Sequence, residues 1–350
     1  MFVAETKQAA PPVTGICKGV RVSWRDIAAP AQPFLEKVAA QLASQIGAFE
    51  PEIAGYAQYA LASQGKQLRP ALVALSGTVS GRPSEHLVTV AVIIEMVHLA
   101  TLVHDDVMDS AQMRRRRPTL AANWGNEISV LLGDCLFAQA VKLAAGFPTT
   151  EICRAVASAT KTVCSGEILQ TQQRGNFQLT HEEYFRMLAM KTAELFALSC
   201  ELGAGQTKAP AAIRTALRNY GMALGTAYQV YDDCLDLFGR EAEAGKSLGT
   251  DLANGKFTLP ILMAWKRADD GQRERLRDLI MPWDRNSLPE VIEVLDRLGA
   301  LGECRRVIHE YLDNARQQLS ILEGSESRDA LDAFCAFLAQ QTDQLGVGSS

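Results

Sequence analysis

Two short stretches of this 350-residue chain place three aspartates apiece inside otherwise apolar sequence: Asp105-Asp106-Val107-Met108-Asp109 and Asp232-Asp233-Cys234-Leu235-Asp236. Leu102 and Val103 precede the first triplet, and Leu235, Leu237 and Phe238 surround the second. Carboxylates are rarely placed on apolar elements unless something pairs them, because a buried unpaired charge is costly. At helical spacing the first and last aspartate of each triplet are i and i+4, so they stack on one face and repel until a cation neutralises them. Hard oxygen ligands suit Mg²⁺, which commonly uses one or two carboxylates and completes its shell with water and substrate phosphates. Two such stacks point to a cavity that holds a polyphosphate between metal ions.

Almost every segment repeats at helical period. Leu87, Val90, Ala91, Ile94, Val97, His98, Thr101 and Leu102 spread apolar side chains around most of one helix over 84–108. A helix apolar nearly all round belongs in the centre of a core. Further helices are predicted near 34–48, 51–64, 70–79, 120–144, 149–173, 181–204, 210–238, 258–268, 271–281, 288–298, 301–322 and 327–344. Period-2 strands with hairpin signals are not found. The reading is an all-α chain, with long buried helices wrapped by shorter ones. The triplets fall towards the C-terminal ends of two of the most apolar helices, so they are expected to face each other across one cavity mouth.

No Pro/Gly/Ser linker or tandem repeat divides the chain. One domain over 26–345 is expected, behind a flexible extension of residues 1–25. A formal net charge of -5 argues against general nucleic-acid binding. The eight cysteines show no CxxC pair and fit reduced thiols of a cytoplasmic protein. Residues 1–15 hold no apolar run of signal-peptide length, and no uninterrupted apolar stretch reaches membrane-spanning length.

Cations answer the aspartates. Arg114-Arg115-Arg116-Arg117-Pro118-Thr119 follows the first triplet, and guanidinium forks bind phosphate in bidentate fashion. Lys66 and Arg69 stand in Gly65-Lys66-Gln67-Leu68-Arg69-Pro70, and His98 lies two helical turns before Asp105 on nearly the same face. Lys246, Asp251 and Lys256 follow the second triplet, and Lys191-Thr192 interrupts an apolar stretch. Each is bland singly: a lone arginine run is more often a solvated face, and a lone His on an apolar helix is more often a satisfied core residue. Together they describe two anionic lobes, one mediated by metal and one held by Lys, Arg and His.

In this order the motifs resemble those of the trans-isoprenyl diphosphate synthases: 65–70, His98, 105–109, 114–119, Gly133-Asp134, Gly166-Glu167, Lys191-Thr192, Gln229 with 232–236, and 255–260. The resemblance implies the isoprenoid-synthase helical bundle and the condensation of isopentenyl diphosphate with an allylic diphosphate. It implies Asp105, Asp106, Asp109, Asp232, Asp233 and Asp236 as the metal set, with three Mg²⁺ (Mn²⁺ able to substitute) and Asp233 the one more often behind the ligands. It assigns Arg114, Lys191, Lys256 and, more weakly, Lys246 to the allylic diphosphate. Lys66, Arg69, His98 and Arg115 go to isopentenyl diphosphate, and Thr192 and Gln229 join Lys191 beside the carbocation. It implies a homodimer to which helix 120–144 contributes. Two departures stand out: Arg116 where glycine is usual, which requires a loop conformation open to a side-chain-bearing residue, and Gln64 where another glycine is usual.

Family members that stop early place bulky aromatics four or five residues before the first aspartate. Here those positions are Thr101 and Ala100, with Val97 and Met96 deeper. Small residues leave room for a growing apolar tail, so a long chain of the quinone-side-chain kind is expected. A geranylgeranyl or farnesyl diphosphate synthase is the alternative, followed by a modulatory subunit of a heteromeric synthase. A class I terpene cyclase does not need the second triplet or the Lys66, Arg69 and His98 group. A helical scaffold would not explain six aspartates in two apolar helices.

Overall fold

The computed structural model describes residues 23–62, 65–79, 81, 84–241 and 247–346. Lys246 and Gln64 therefore lie outside the described residues, as does most of the expected N-terminal extension. At the boundary of that stretch, Ser23 caps a helix over Trp24–Ala28 through a capping box with Asp26.

Eleven of the predicted helical stretches coincide with observed helices to within a few residues, and both aspartate helices, Leu87–Met108 and Ala211–Phe238, are long and continuous. Two stretches are broken. Gly125, at φ 88, separates a short helix over Leu120–Trp124 from Asn126–Ala145. The expected 181–204 helix runs α over His181–Leu188, widens to a π turn over Ala189–Ala193, and resumes over Glu194–Gly205. The π turn carries Lys191 and Thr192, and π-bulges of this kind concentrate at functional sites. Gly166 of the Glu151–Gln172 helix makes room for it, since a Cβ there would sit 2.7 Å from the Lys191 nitrogen.

The core falls into two clusters. One surrounds the Ala211–Phe238 helix and buries aromatics, among them Tyr184, Phe196, Tyr220, Phe238 and Phe334. The other surrounds Leu87–Met108, and its fully buried members are all aliphatic, including Met96, Val97, Ala100, Ala159, Val163 and Leu195. The helix Glu194–Gly205 packs against both aspartate helices and so joins the clusters.

Among the described residues the one sheet is a two-residue antiparallel pair, Met113–Arg114 with Arg117–Pro118, too short to leave a period-2 signal. Arg115 and Arg116 form its turn at φ 51 and 63, the left-handed pair that a two-residue hairpin demands. The turn thus keeps a glycine-like backbone at Arg116, within the small region open to other residues.

Among the described residues, two helices are long and apolar enough to cross a membrane by length and composition, Leu87–Met108 and Asn126–Ala145. The first owes its apolarity to burial in the core, with 67% of its most apolar stretch inside the protein. The second is one-third buried and exposes Val130, Leu131 and Val141.

Candidate active site

The aspartate helices end side by side, joined by two bridges. In the first, Lys256 Nζ reaches Asp109 Oδ2 at 2.6 Å while the Lys256 amide donates to the Asp251 carbonyl, and the Asp251 amide donates to Asp236 Oδ2 at 3.0 Å. In the second, Lys191 lies close enough to Asp105 for each to shift the other's titration. Its neighbour Thr192 donates to Gln229 Oε1 at 2.8 Å, and Gln229 Nε2 donates to Asp233 Oδ1 at 2.9 Å. The expectation that both triplets face one mouth agrees with these bridges.

Around the first triplet the partners are ions. Arg114 Nε pairs with Asp106 Oδ1 at 2.8 Å, and Arg174 joins Lys256 on Asp109, reaching Oδ1 at 2.9 Å. Asp105 has no ion pair among the described contacts. Burial pushes its carboxyl up to about 6, Glu167 pushes the same way, and Lys191, Arg114 and Lys256 pull it back. Burial works against the charge of Lys191, yet Asp105, Glu167 and Asp109 together raise it. Glu167 holds that ammonium at 2.5 Å and Gln170 accepts from it at 2.8 Å.

Around the second triplet the described hydrogen-bond donors are neutral. Tyr184 donates to Asp233 Oδ2 at 2.5 Å, completing a Thr192–Gln229–Asp233–Tyr184 chain. Burial and nearby Asp251 push the Asp233 carboxyl well above its usual range. Fully buried Asp236 accepts from Thr250 Oγ1 at 2.6 Å as well as from the Asp251 amide. Asp232 is the half-buried member. It stands near Tyr228, whose phenol burial, with help from Asp232, pushes up to about 12.

A separate cluster is cationic. Lys66, Arg69, Arg115 and His98 converge below the arginine hairpin. Partial desolvation lowers the exposed Lys66 and Arg115, and their neighbours add repulsion, from Arg115 on Lys66 and from Arg114 on Arg115. Burial holds His98 well below its usual range, and Arg69, Arg114 and Arg115 lower it further, so its ring is neutral at pH 7. Glu95 is the acid facing these groups, and burial raises its carboxyl. Arg69 packs over the Phe196 ring, and its buried Nε has no hydrogen-bond partner. A buried guanidinium N–H without an acceptor is expensive, so the site is shaped for an anion.

Sequence reasoning thus named most of the groups that meet here. It missed Arg174, Gln170, Tyr184 and Glu95, and it gave Glu167 no part beyond its motif. Of these, Glu95 and Glu167 carried a signal, each a carboxylate placed on an otherwise apolar helix face. Ala100, Val97 and Met96 are buried in the aliphatic cluster, and Thr101 donates to the His98 carbonyl at 2.7 Å. Among the described residues no three His, Cys, Asp or Glu side chains already converge on one point. The oxygen-only donors of Asp105, Asp106, Asp109 and Asp232 nevertheless fit a hard divalent cation better than a soft one.

Carboxylates gather in one cluster and cations in another, inside an all-helical fold. Residues 50–297 match the family model described as Polyprenyl synthetase. The chain is 32% identical over 288 residues to a short chain isoprenyl diphosphate synthase from Methanothermobacter thermautotrophicus, covering 81% of this chain and 89% of the relative. It is 34% identical over 281 residues to heptaprenyl diphosphate synthase component 2 from Bacillus subtilis, covering 80% of each. A polyprenyl synthase from Caulobacter crescentus, solved with calcium and isoprenyl diphosphate, superposes with a TM-score of 0.87 at 30% identity, over 91% of this chain and 98% of that one. The chain belongs to the polyprenyl synthetase family. It is a prenyltransferase, an enzyme that extends prenyl chains.

Proposed function

We propose that this enzyme condenses isopentenyl diphosphate with an allylic diphosphate, head to tail and in the E configuration, and repeats the step to a long polyprenyl diphosphate. The observation that carries the reading is the separation of charge: carboxylates with exchangeable ionic partners on one side, and Lys66, Arg69 and Arg115 around an unpaired buried Nε on the other. Asp105, Asp106, Asp109 and Asp232 are the proposed ligands of three Mg²⁺, for which Mn²⁺ is expected to substitute. Asp236 would join them in holding the metals, and Asp233 orients Gln229. When bound, the metals neutralise the departing diphosphate and stabilise charge developing on it.

The chain's own residues do the rest. Arg114, Lys191 and Lys256 turn from their carboxylates to the allylic diphosphate and hold the leaving group as charge builds on it. Lys66, Arg69, Arg115 and neutral His98 fix the second diphosphate, which aims the isopentenyl double bond at the allylic carbon. Thr192 and Gln229, locked to each other, turn oxygen dipoles towards the cation. The released diphosphate accepts the proton that is lost, so no strongly basic side chain is required.

Long product is favoured by the ruler positions. Ala100 and Thr101 are small, and the buried core around them is aliphatic, with rings such as Phe137 and Phe147 only partly buried against it. Each methylene of a growing tail buried there contributes about 0.8 kcal/mol. The names of the relatives differ in product length, so the runner-up is a shorter, geranylgeranyl or farnesyl, product. We read 26–345 as one catalytic unit, cytoplasmic and homodimeric, with the exposed Val130, Leu131 and Val141 row of Asn126–Ala145 as the dimer face. The test is product chromatography after incubating wild type and Ala100→Phe with labelled isopentenyl diphosphate, an allylic primer and Mg²⁺. Wild type gives long products and the variant shorter ones. Unchanged length in the variant sinks the ruler, and no incorporation by wild type sinks the reaction.

A further inference from the structure

The loop that carries Lys66 is short, irregular and under strain. Gln67 sits at φ 50, a left-handed conformation unusual for a side-chain-bearing residue, and then leads into the Leu68–Thr78 helix without a side-chain cap. Gly65 lies flat against the Arg115 guanidinium, where a Cβ would come within 2.4 Å of it. The Lys66 carbonyl is held by a distant residue: Trp24 Nε1 donates to it at 2.9 Å. The Trp24 ring meets Phe334 edge to face at 5.0 Å, and Lys66 Nζ lies 5.4 Å from the Phe337 ring centre on the same C-terminal helix, Glu326–Gln344. The first described helix and the last thus grip the loop from behind, one at its carbonyl and the other at its ammonium.

We infer that Trp24 is a positioning residue for the metal-free diphosphate lobe, setting the backbone of Lys66 so that Lys66, Arg69 and Arg115 present their charges together. The inference rests on the proposed assignment of that lobe to isopentenyl diphosphate. The physical case is geometric. Lys66 sits in a helix-entry loop outside any backbone ladder, and the left-handed turn at Gln67 costs about 1 kcal/mol that surrounding contacts must offset. The Phe334 contact holds the indole in place, and the indole N–H is donor-only, so it has one use here. The contacts of Trp24 run to Lys66 and Phe334 and not to the aspartates, so its effect is expected on the second substrate alone.

The test is Trp24→Phe, which keeps a ring against Phe334 and removes only the N–H. Steady-state kinetics are measured twice, varying isopentenyl diphosphate at saturating allylic diphosphate and then the reverse, beside Lys66→Ala. Losing one net hydrogen bond predicts a KM for isopentenyl diphosphate raised about fivefold, with kcat and the allylic KM within about twofold of wild type. Calorimetric titration of isopentenyl diphosphate into the metal-free enzyme is expected to show the same weakening. If Lys66→Ala raises that KM and Trp24→Phe does not, the positioning role is wrong and the lobe assignment stands. If both KM values rise together in Trp24→Phe, Trp24 acts on general stability and the inference fails. If neither variant moves the isopentenyl KM, the lobe assignment and the inference fall together.

Discussion

Arg114, Arg174 and Lys256 bring full charges to the first aspartate triplet, whereas Tyr184, Gln229, Thr250 and a backbone amide bring neutral donors to the second. The difference sets what each carboxylate is free to do. An ammonium or guanidinium at the end of a long side chain can leave a carboxylate for a phosphate without breaking the fold. A phenol held in the aromatic core, or an amide in a tight turn, cannot. On the proposed function the first triplet is the working set, with Asp232 added from the second, and Asp233 and Asp236 hold the floor of the site in shape.

That contrast can be broken most directly with Asp105→Asn. Turnover should fall at least about 100-fold, as for other groups that stabilise developing charge. The melting midpoint should stay equal or rise, since burial already pushes this carboxyl up to about 6. Near-normal turnover would remove the first triplet from the chemistry.

Asp236→Asn should behave the other way. Its new amide must either turn the Thr250 hydroxyl from donor to acceptor or leave the Asp251 amide without its acceptor, and the disturbed buried network is expected to cost about 1–3 kcal/mol in chemical denaturation. Turnover of the folded fraction should fall less than in Asp105→Asn. An equal loss at unchanged stability would make the two triplets equivalent.

Tyr184→Phe sharpens the comparison. It removes the donor to Asp233 and should cost about 1 kcal/mol, with a modest drop in kcat through the loosened Gln229. The smallest effect is expected for Arg116→Gly, which relieves a left-handed side-chain-bearing residue and should stabilise the protein by about 1 kcal/mol or less, read as a shifted denaturation midpoint. Destabilisation there would mean that the Arg116 side chain itself holds the hairpin.

The helices were legible because apolar side chains recurring at 3.6 residues leave a mark that burial then amplifies, as in Leu87–Met108. The π turn was not, since one extra residue in a helical run of apolar and polar groups changes no composition. The aspartates and Lys191 were legible as charges in apolar surroundings. Arg174 and Tyr184 were hidden by ordinary neighbours, and only the return of the chain brings them to Asp109 and Asp233. The unequal duties of the two triplets could not be read from identical spacing, because they depend on partners far away in the chain. Trp24 was passed over for a related reason: its neighbours look like a loose end, and its contacts lie at residues 66 and 334.

The π turn at Ala189–Ala193 also fixes a phase. Each α-helical residue turns the chain by about 100°, so an extra residue wound into a wider turn re-indexes everything on one side against everything on the other. Tyr184 before the turn and Thr192 within it both end on the Gln229–Asp233 pair, a convergence that depends on the widened winding. Length is therefore as strictly specified here as composition: a one-residue deletion within the turn would preserve every chemical group nearby and rotate half of them away from the second triplet.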